Sequence, residues 1–517
     1  MPEPIHRRIV HARGYVGIVG RMTVNRAYMM VAIFLASVAT YGCGDGSGGT
    51  GGAGGGGGSG GAGGAPPVGA CCTVDQACRD SSLDECSARG GAFTEAELCA
   101  GLTCAAPEVD DLRQAAERLE ILTRDEVETY IDAVSTIGRE YWNLNGDDPR
   151  YTNELLGRQG APLEADGPFN TRTFLARYRV VQHAARLIRA VEAATEAASG
   201  LVTAQEANAL IGYAKTLQAY ALLLLANHQF SNGILPVDAL DDPDPSGSFL
   251  NYDASLQHIA DLLDDGAAAL TNGGATFIFS LSLGFQGFST PAAFRQVNRA
   301  LAARVRIYMG DKTGSISGIA GSFLNINGSM TTGPAHAYSF EARNPMHHRP
   351  DEDLYTVHPS FVSEVDPGDL RFSQKTRPYV PTPDFFVPVS FEGLIGDRQV
   401  QVVQTDQSPF PIIRNEELIL IYAETQIGSD VNESLAAINR VRNAAGLGNY
   451  LGATGNASIL TEVLRQRRYS LYGEGHRWVD LRRTGRLGEI PTDRVGDVVH
   501  LEFPRPDAET LGLISGL

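Results

Sequence analysis

Apolar positions recur at helical spacing over most of the chain beyond residue 107, and strand-like alternation is scarce. In residues 171–195 one predicted helix face carries Phe174, Tyr178, Val181, Ala185 and Ile188. The pattern predicts helices near 125–144, 171–195, 203–227, 253–271 and 290–310, and then at 415–428, 430–445, 457–473 and 474–484. Residues 311–412 are rich in Pro, Gly, Asp and aromatics without sustained periodicity, which predicts an irregular subdomain with short strands.

Local chemistry marks two of the helix starts. Thr203 is followed three residues later by Glu206, the pattern of a capping box in which both side chains accept backbone N–H groups. Thr290 followed by Pro291 marks another start, because proline in the first turn loses no needed hydrogen bond. Paired helices of this length, with alanine at their contacts, predict a mainly α fold with tetratricopeptide-like helix pairs.

The first 69 residues look like an export and tethering region. From Met22, the expected start, a basic residue and an apolar run lead to small residues before Cys43, so we expect a signal peptide in residues 1–42. Residues 40–42 are similar to a lipobox, and we expect lipidation at Cys43; cleavage without lipid, or an uncleaved anchor, is the alternative. Residues 43–69 are mostly Gly, Ala and Ser, which predicts a flexible tether spanning roughly 25 Å.

All seven cysteines lie between Cys43 and Cys104. Six of them fall within residues 70–106: Cys71, Cys72, Cys78, Cys86, Cys99 and Cys104. In an exported chain this crowding predicts a small disulfide-bonded module, although six cysteines allow 15 pairings. A zinc site is the alternative, but this stretch has no histidine and no repeated C-x-x-C.

Charge and composition narrow the classes of partner. The 517 residues carry 60 acidic and 42 basic side chains, a formal net charge of -18. Nucleic acid is therefore not expected as a partner, because phosphate backbones favour clustered Lys and Arg. The glycine tract imitates phosphate-binding loops, but no predicted strand precedes it and no predicted helix follows it, so no cofactor is expected.

Three blocks in the C-terminal helices resemble the RagB/SusD family. The first block matches at Arg414, Glu417, Leu420, Tyr422, Ala423 and Glu424. The second matches at Ile438, Asn439, Val441, Arg442, Ala445, Gly446 and Leu447, with Ala444 replacing a usual arginine. The third matches at Arg467, Leu471, Glu474, Gly475, Arg477, Trp478, Asp480, Leu481 and Arg483, with Gln466 and Ser470 replacing glutamates. Weaker similarity extends the resemblance over roughly residues 107–510.

The resemblance implies a function as well as a fold. It implies that residues 107–517 form a SusD-like ligand-binding domain on a surface-exposed outer-membrane lipoprotein, anchored to the membrane through its lipid. The protein would bind a glycan oligosaccharide or a peptide and deliver it to a SusC-like TonB-dependent transporter, without catalysis. A surface glycoside hydrolase and a helical-repeat adaptor that binds only proteins are the alternatives.

Two clusters of side chains allow an enzymatic or metal-binding interpretation. Glu474 and Asp480 could form a catalytic carboxylate pair, but Arg467 and Arg477 are placed to neutralise them or Glu424, which favours a structural role. His347 and His348 precede three acidic residues, Asp351, Glu352 and Asp353, and could hold a metal ion. Adjacent histidines point apart in an extended segment, so a solvated loop is preferred.

The resemblance implies a shallow ligand site of aromatic and polar side chains in the loops. Aromatic rings stack on sugar faces, while amides and carboxylates orient the ligand. The candidates are Trp142, Tyr151 and Phe169 in the first loops and Tyr338, Tyr355, Phe385 and Phe386 in the irregular segment. Trp142 is the leading candidate, because Asn143 and Asn145 lie beside it.

Overall fold

The structure is a computed structural model. It describes residues 67–95, 97–100, 102–196, 200–240, 247–350, 352–383, 385–514 and 517. The expected signal peptide, Cys43 and residues 43–66 of the expected tether lie outside the described residues.

The described chain opens with the cysteine module, a three-stranded sheet with one short helix. Its elements are β1 (Val68–Cys72), β2 (Cys78–Ser82), α1 (Leu83–Ala88) and β3 (Ala92–Thr94), with antiparallel strand order β2-β1-β3. The expected disulfides are confirmed as Cys71–Cys86, Cys72–Cys104 and Cys78–Cys99. Cys72, Cys78 and Cys104 are the one group with metal-ligand spacing among the described residues, and each is in a disulfide.

The helical body follows the module. Its helices are α2 (Val109–Leu122), α3 (Val127–Ile137), α4 (Pro168–Glu196), α5 (Ala204–Gln229), α6 (Tyr252–Thr271), α7 (Pro291–Tyr308) and α8 (Lys312–Ala320). The predicted capping box is confirmed, since Thr203 accepts from the Glu206 backbone and Glu206 accepts from the Thr203 backbone. Thr290 and Pro291 likewise open α7 as expected.

Two helix predictions differ from the structure. The helix expected at 125–144 is wrong in its second half, because α3 ends at Ile137 and Arg139 takes a left-handed conformation at φ 52°. The following residues form strand β4 (Tyr141–Asn143), whose partner lies more than two hundred residues away and was invisible to local periodicity. Helix α8 falls within the segment expected to be irregular.

Helices α5 and α6 approach each other closely at glycines. A Cβ atom on Gly212 would lie 2.6 Å from the Leu270 side chain and 2.7 Å from the Gly266 carbonyl oxygen. Small residues at helix contacts are therefore required here, as the alanine-rich pattern predicted. Residues 204–232 are long and apolar enough to cross a membrane by composition, but 89% of that apolar window is buried in the protein, as in a core helix.

The irregular segment is built from short elements. Its strands are β5 (Ala335–His336), β6 (Tyr355–Val357), β7 (Thr376–Pro378), β8 (Val389–Phe391), β9 (Leu394–Gly396), β10 (Arg398–Val400) and β11 (Phe410–Pro411), and its helices are α9 (Pro359–Ser363) and α10 (Leu370–Lys375). Strand β4 joins this segment in a four-stranded sheet of order β4-β6-β10-β7, here called the joint sheet. Strands β8 and β9 form a separate hairpin.

The chain closes with α11 (Asn415–Thr425), α12 (Val431–Ala444), α13 (Asn456–Ser470), α14 (Arg477–Arg483) and α15 (Ala508–Ile514). Arg304 on α7 donates two hydrogen bonds to the Glu417 carboxylate on α11, at 2.7 and 2.5 Å, and both side chains are at most 5% exposed. Burial alone would raise the pKa of Glu417, but Arg304 and His476 lower it to about 2. The pair therefore stays charged inside the protein and ties the C-terminal helices to the helical body.

We expect that replacing Arg304 by Met lowers the free energy of unfolding by about 3–5 kcal/mol, because Glu417 is left as an unpaired buried charge. The double variant R304M/E417L should recover much of this loss, since an apolar pair carries no desolvation cost. Urea unfolding of the single and double variants measures both effects.

The matched control is Arg113→Met, which breaks the ion pair between Arg113 and Asp110 at the surface. The Arg113 side chain is 43% exposed and the Asp110 side chain is 69% exposed. That loss should be about 0–1 kcal/mol. An R304M loss no larger than the R113M loss would contradict the bracing role of the buried pair.

Candidate functional site

The structure brings five of the seven aromatic candidates to the joint sheet. β4 and β6 pair with Tyr141 opposite Val357, Trp142 opposite Thr356 and Asn143 opposite Tyr355. Because side chains alternate between the two faces of a sheet, Tyr141 and Tyr355 share one face and Trp142 lies on the other. Tyr151, Phe169 and Phe385 pack near these faces from flanking loops and the start of α4.

On the first face, tyrosine hydroxyls converge on one buried carboxylate, Asp132 of α3. Tyr141 donates to Oδ1 at 2.8 Å, while Tyr355 and Tyr151 donate to Oδ2 at 2.8 and 3.1 Å. Burial raises the pKa of Asp132 to about 6, and the three hydroxyls offset part of that rise. We call Asp132 with these three tyrosines the tyrosine cluster.

The rings of the tyrosine cluster also pack against further aromatics. Phe169 lies edge-on to Tyr151, with ring centroids 4.9 Å apart, and is only 4% exposed. His348 stacks on Tyr355 at 3.7 Å. Tyr151 and Tyr355 keep partly exposed side chains, whereas Phe169 supports them from the core.

On the second face, Trp142 is a core residue. It is 3% exposed, lies edge-on to His358 with ring centroids 4.8 Å apart, and donates through Nε1 to Asp493 at 3.3 Å. Asp493 also accepts from Arg139 at 3.0 Å and lies 2.6 Å from His358 Nε2. The structure thus gives the leading ligand candidate a packing role, because its ring is enclosed on the inner side of the sheet.

The two phenylalanines of the irregular segment differ in exposure. Phe385 packs partly buried against the cluster that contains Trp142 and Tyr379. Phe386 is 80% exposed, and Val380 and Ile395 nearby in sequence are also more than half exposed. Phe386 is therefore an accessible aromatic, next in sequence to a residue that packs against the joint sheet.

Tyr338 lies apart from the joint sheet. Arg124 stands over its ring at 5.9 Å, and the neighbouring Ala337 carbonyl accepts from Arg124 at 2.6 Å. Ala337 also lines a depression of about 330 Å³ with Glu117, Glu120 and Arg124. Tyr338 packs against the same large core cluster as Phe169 and Tyr151, at a position away from the strands of the joint sheet.

The carboxylates of the C-terminal motif are paired with arginines. Arg467 donates to Asp480 at 2.6 Å, and Arg483 bridges Asp480 at 2.9 Å and Glu424 at 2.6 and 2.8 Å. Arg414 binds Glu474, which also lies 3.2 Å from Lys375. Burial opposes ionisation, but these cations lower the pKa of both Glu474 and Asp480.

The other motif residues also hold the scaffold. Arg442 pairs with Glu462 at 2.6 Å, and the Asn439 side chain accepts from the Tyr450 backbone. Trp478 donates through Nε1 to the His500 carbonyl. Arg477 differs from its expectation, since it donates to the Gly138 carbonyl at 2.9 Å, while Arg483, Arg414 and Lys375 take the neutralising role expected of it.

A cleft of about 380 Å³ opens above Glu474. It is lined by Met330, Thr331, Gly333, Pro334, Ala335, Arg371, Gln374, Lys375, Val402, Pro409, Pro411, Arg414, Glu416, Ala444, Ala445 and Glu474. A general acid needs a raised pKa near the working pH, whereas Glu474 stays ionised beside two cations. The cleft floor is thus a charge-paired surface unsuited to glycosidic acid catalysis.

Two carboxyls with strongly raised pKa, Glu140 and Asp132, lie away from this cleft. Burial raises the pKa of Glu140 to about 7, and its Oε1 accepts from the Gly473 backbone at 3.1 Å. Glu140 is 2% exposed and Asp132 is 6% exposed, so both are enclosed. Their pKa shifts follow from desolvation inside the scaffold and not from an open catalytic cleft.

The histidine and acidic segment also has structural partners. His348 is buried against Tyr355, and Arg349 pairs with Glu352 and Asp353. Asp351 lies outside the described residues. The segment was expected to be a solvated loop; it differs from that expectation at His348, which is buried, whereas Arg349 and Glu352 are exposed.

Two residues that carry the architecture were missed in the sequence. Arg304 lies at the spacing of Val297, Leu301 and Tyr308, so it falls on the buried stripe of α7. A charge on an apolar stripe signals a buried partner, here Glu417. Asp132 gives a weaker signal, because its three donors come from β4, a loop and β6, which only the fold brings together.

Comparisons with known proteins agree with this architecture. Residues 390–499 match the sequence model of the SusD family. No curated protein matches the chain in sequence.

Solved structures with the same fold have low sequence identity to this chain. A SusD superfamily protein from Bacteroides vulgatus superposes with a TM-score of 0.57 at 15% identity, covering 78% of this chain and 96% of its own. A SusD-like carbohydrate binding protein from the same organism gives 0.56 at 14%, covering 73% and 83%. Surface glycan-binding protein A from Bacteroides thetaiotaomicron, in complex with laminarihexaose, gives 0.56 at 12%, covering 79% and 99%.

The family match covers the C-terminal arginine and carboxylate network, and the shared fold covers 73–79% of this chain in these three structures. The chain therefore resembles the SusD family in the sequence of residues 390–499 and shares the fold of these solved structures.

Proposed function

We propose that this protein is a cell-surface lipoprotein that binds an oligosaccharide and passes it to a TonB-dependent transporter in the outer membrane. The observation that carries the proposal is the joint sheet, which gathers aromatic side chains from the first loops and the irregular segment. Similarity in fold to a protein seen with laminarihexaose supports a glycan as the ligand. A peptide is the alternative ligand and is an outcome of the binding test below.

The contact surface that we propose consists of the accessible aromatic side chains around the edges of the joint sheet. Phe386 offers an exposed ring, and Tyr151 and Tyr355 offer partly exposed ones. Sugar rings pack on such faces through their C–H groups, and half-buried rings are already ordered before the ligand arrives. Trp142 and Phe169 act behind this surface as supports, and Tyr338 is assigned no contact.

The absence of catalysis is part of the proposal. Hydrolysis of a glycosidic bond needs two carboxyl groups that face the substrate, one of them able to give up a proton. Glu474 and Asp480 are instead each held by two cations. Their charge pairing supports a binding role.

The membrane location and the partner are proposed from the sequence of the first 69 residues and from the resemblance to the SusD family. A leader that ends at Cys43 and a glycine-rich tether support lipid anchoring with the folded part held off the membrane. Delivery to a transporter is tested by isolating the protein from its native membrane. A TonB-dependent β-barrel should co-purify with it, and another partner in its place would favour an adaptor.

We expect the protein to bind laminarihexaose or another oligosaccharide reversibly and to release no smaller sugars. Phe386→Ser should lower the affinity by about tenfold or more, because a stacked aromatic ring contributes about 0.5–1.5 kcal/mol beyond its buried area. Calorimetry over a panel of oligosaccharides and short peptides measures the affinity. Chromatography of the incubated sugars measures turnover.

The matched control is Phe340→Ser, because Phe340 is also exposed, at 66%, but lies with Arg343 away from the joint sheet. Its affinity should equal that of the unaltered protein. Equal affinities for F386S and F340S would refute the placement of the ligand. Sugar release that disappears in E474Q would instead establish a hydrolase.

We expect Asp132→Asn to remove a pH dependence of stability from the tyrosine cluster. The folded pKa near 6 is above the usual 3.8, so between these values the unfolded chain loses its proton first and the free energy of unfolding falls as pH rises. The contribution of Asp132 to the free energy of unfolding is up to about 3 kcal/mol. It is fully present below about pH 4 and is lost above about pH 6. Urea unfolding between about pH 3 and pH 7 measures it, because this range extends roughly one unit beyond both pKa values.

The control is Asp110→Asn, on a side chain that is 69% exposed. D110N should follow the unaltered protein across the pH range, whereas D132N should show a flatter curve. A D132N curve with an unchanged slope would show that Asp132 does not titrate in this window.

A further inference from the structure

The tyrosine cluster connects the proposed contact surface to the helical body. Tyr151 and Tyr355 have partly exposed side chains, while their hydroxyls donate to Asp132, which is 6% exposed. Asp132 lies on α3, Tyr355 lies on β6, and Tyr151 lies in the segment between β4 and α4. One buried carboxylate therefore holds two of the aromatic rings to which the proposed function assigns the ligand.

The groups that face Asp132 come from every element packed around it. Tyr141 on β4 donates to Oδ1, and both Tyr151 and Tyr355 donate to Oδ2. Glu128 lies one turn earlier on α3 and is a second acid. Burial raises the pKa of Glu128, and the negative charge of Asp132 adds to that rise. Hydroxyl groups are thus what stabilise the charge on Asp132.

The arrangement of donors fits an ionised carboxylate better than a protonated one. A carboxylate only accepts hydrogen bonds, so its two oxygens can take all three hydroxyl protons. A carboxylic acid carries a proton of its own, and one tyrosine must then accept that proton instead of donating, or lose its bond. Hydrogen bonds to a charged acceptor are also roughly twice as strong as those between neutral groups. Protonation of Asp132 therefore loosens the attachment of the rings.

We propose that Asp132 is a positioning residue of the oligosaccharide surface, and that its protonation regulates how firmly Tyr151 and Tyr355 are held for the ligand. This role rests on the proposed function, because it belongs to the same surface. The ionised form fixes both rings before the ligand arrives, which lowers the cost of ordering them on binding. By linkage, a ligand that prefers the ionised form binds more tightly as pH rises and releases a proton from Asp132.

Two neighbouring groups have to be separated from Asp132 in any measurement against pH. Burial raises the pKa of Asp132 to about 6. His348 stacks on Tyr355, but burial lowers its pKa to about 3, so it is neutral through the range in which Asp132 titrates. Glu140 lies beside Tyr141 in sequence, and burial raises its pKa to about 7. A variant at Glu140 is therefore needed as a control.

The first test measures the affinity for laminarihexaose, or for another oligosaccharide of the panel, by calorimetry at several pH values. The unaltered protein should bind about tenfold more tightly at about pH 7 than at about pH 5, because the ionised fraction of a group with a pKa of about 6 changes by that factor. Binding at about pH 6 should also release protons, which is measured by repeating the titration in buffers of different ionisation enthalpy. Asp132→Asn should remove both effects, whereas Glu140→Gln should keep them.

Two tyrosine variants decide the question if D132N does not fold. Tyr355→Phe and Tyr151→Phe keep each ring but remove its hydrogen bond to Asp132. Each should lower the affinity at about pH 7 by about threefold or more, because its ring is no longer held before the ligand binds. The matched control is Tyr422→Phe, since the Tyr422 hydroxyl donates at 3.0 Å to Glu433 on α12, another carboxylate. Y422F should bind like the unaltered protein.

A measurement without ligand separates this role from the proposed function. Nuclear magnetic resonance of protein labelled in its tyrosine rings, with Y151F and Y355F to identify the signals, reports the mobility of each ring. Both rings should become more mobile below about pH 6 in the unaltered protein, and their mobility should not depend on pH in D132N.

The outcomes divide as follows between the two proposals. Oligosaccharide binding that is independent of pH, or that depends on pH equally in D132N and the unaltered protein, overturns the role of Asp132 and leaves the proposed function standing. Affinities of Y151F and Y355F equal to that of Y422F overturn it as well. Absence of binding by the whole panel at every pH overturns the proposed function and this regulation with it, while the ring signals still show whether Asp132 holds the tyrosines.

Discussion

A guanidinium and a carboxylate can be buried together only when each satisfies the other's hydrogen bonds, and the rest of this structure depends on that condition being met between α7 and α11. Arg304 and Glu417 meet it with two short bonds and almost no exposure. From there charge pairing continues through Arg467 and Asp480 to Arg483 and Glu424. The network fixes the C-terminal helices against the helical body, and each of these carboxylates is paired with an arginine.

The joint sheet is held by a different kind of interaction on each of its faces. On one face, neutral tyrosine hydroxyls donate hydrogen bonds to Asp132. On the other face, Arg139, Trp142 and His358 form hydrogen bonds with Asp493. The sheet therefore connects the irregular segment to α3 through groups that are conformationally fixed. Such a support lets surface loops vary in sequence while their base stays in place.

Much of the helical fold could be predicted from the sequence, because amphipathic periodicity and capping chemistry are local. The bounds of α4, α5, α6 and α7 follow from the Thr203 capping box, the Thr290–Pro291 start and the apolar spacing between them. The joint sheet could not be predicted in this way. Its strands are three residues long, and β4 pairs with a strand more than two hundred residues distant.

The sequence was enough to predict which kinds of residue form the candidate site, but not which of their side chains are exposed. The aromatic residues of the first loops and the irregular segment do converge, but exposure depends on which face of β4 each side chain takes. Trp142 and Tyr141 are adjacent in sequence and lie on opposite faces. The resemblance in the C-terminal blocks identified the arginines and carboxylates, whereas Arg304 and Lys375, which complete their pairs, lie outside those blocks.

The disulfide pattern has a mechanical consequence for a folded part that is pulled by its leading end. Cys72, at the end of the first strand, is bonded to Cys104, five residues before α2 begins. Tension entering at Val68 passes across that bond to α2, and the thirty-one residues between the two cysteines form a closed loop outside the line of force. A force applied at the leading end of the folded part would then load the helical body directly and bypass the loop.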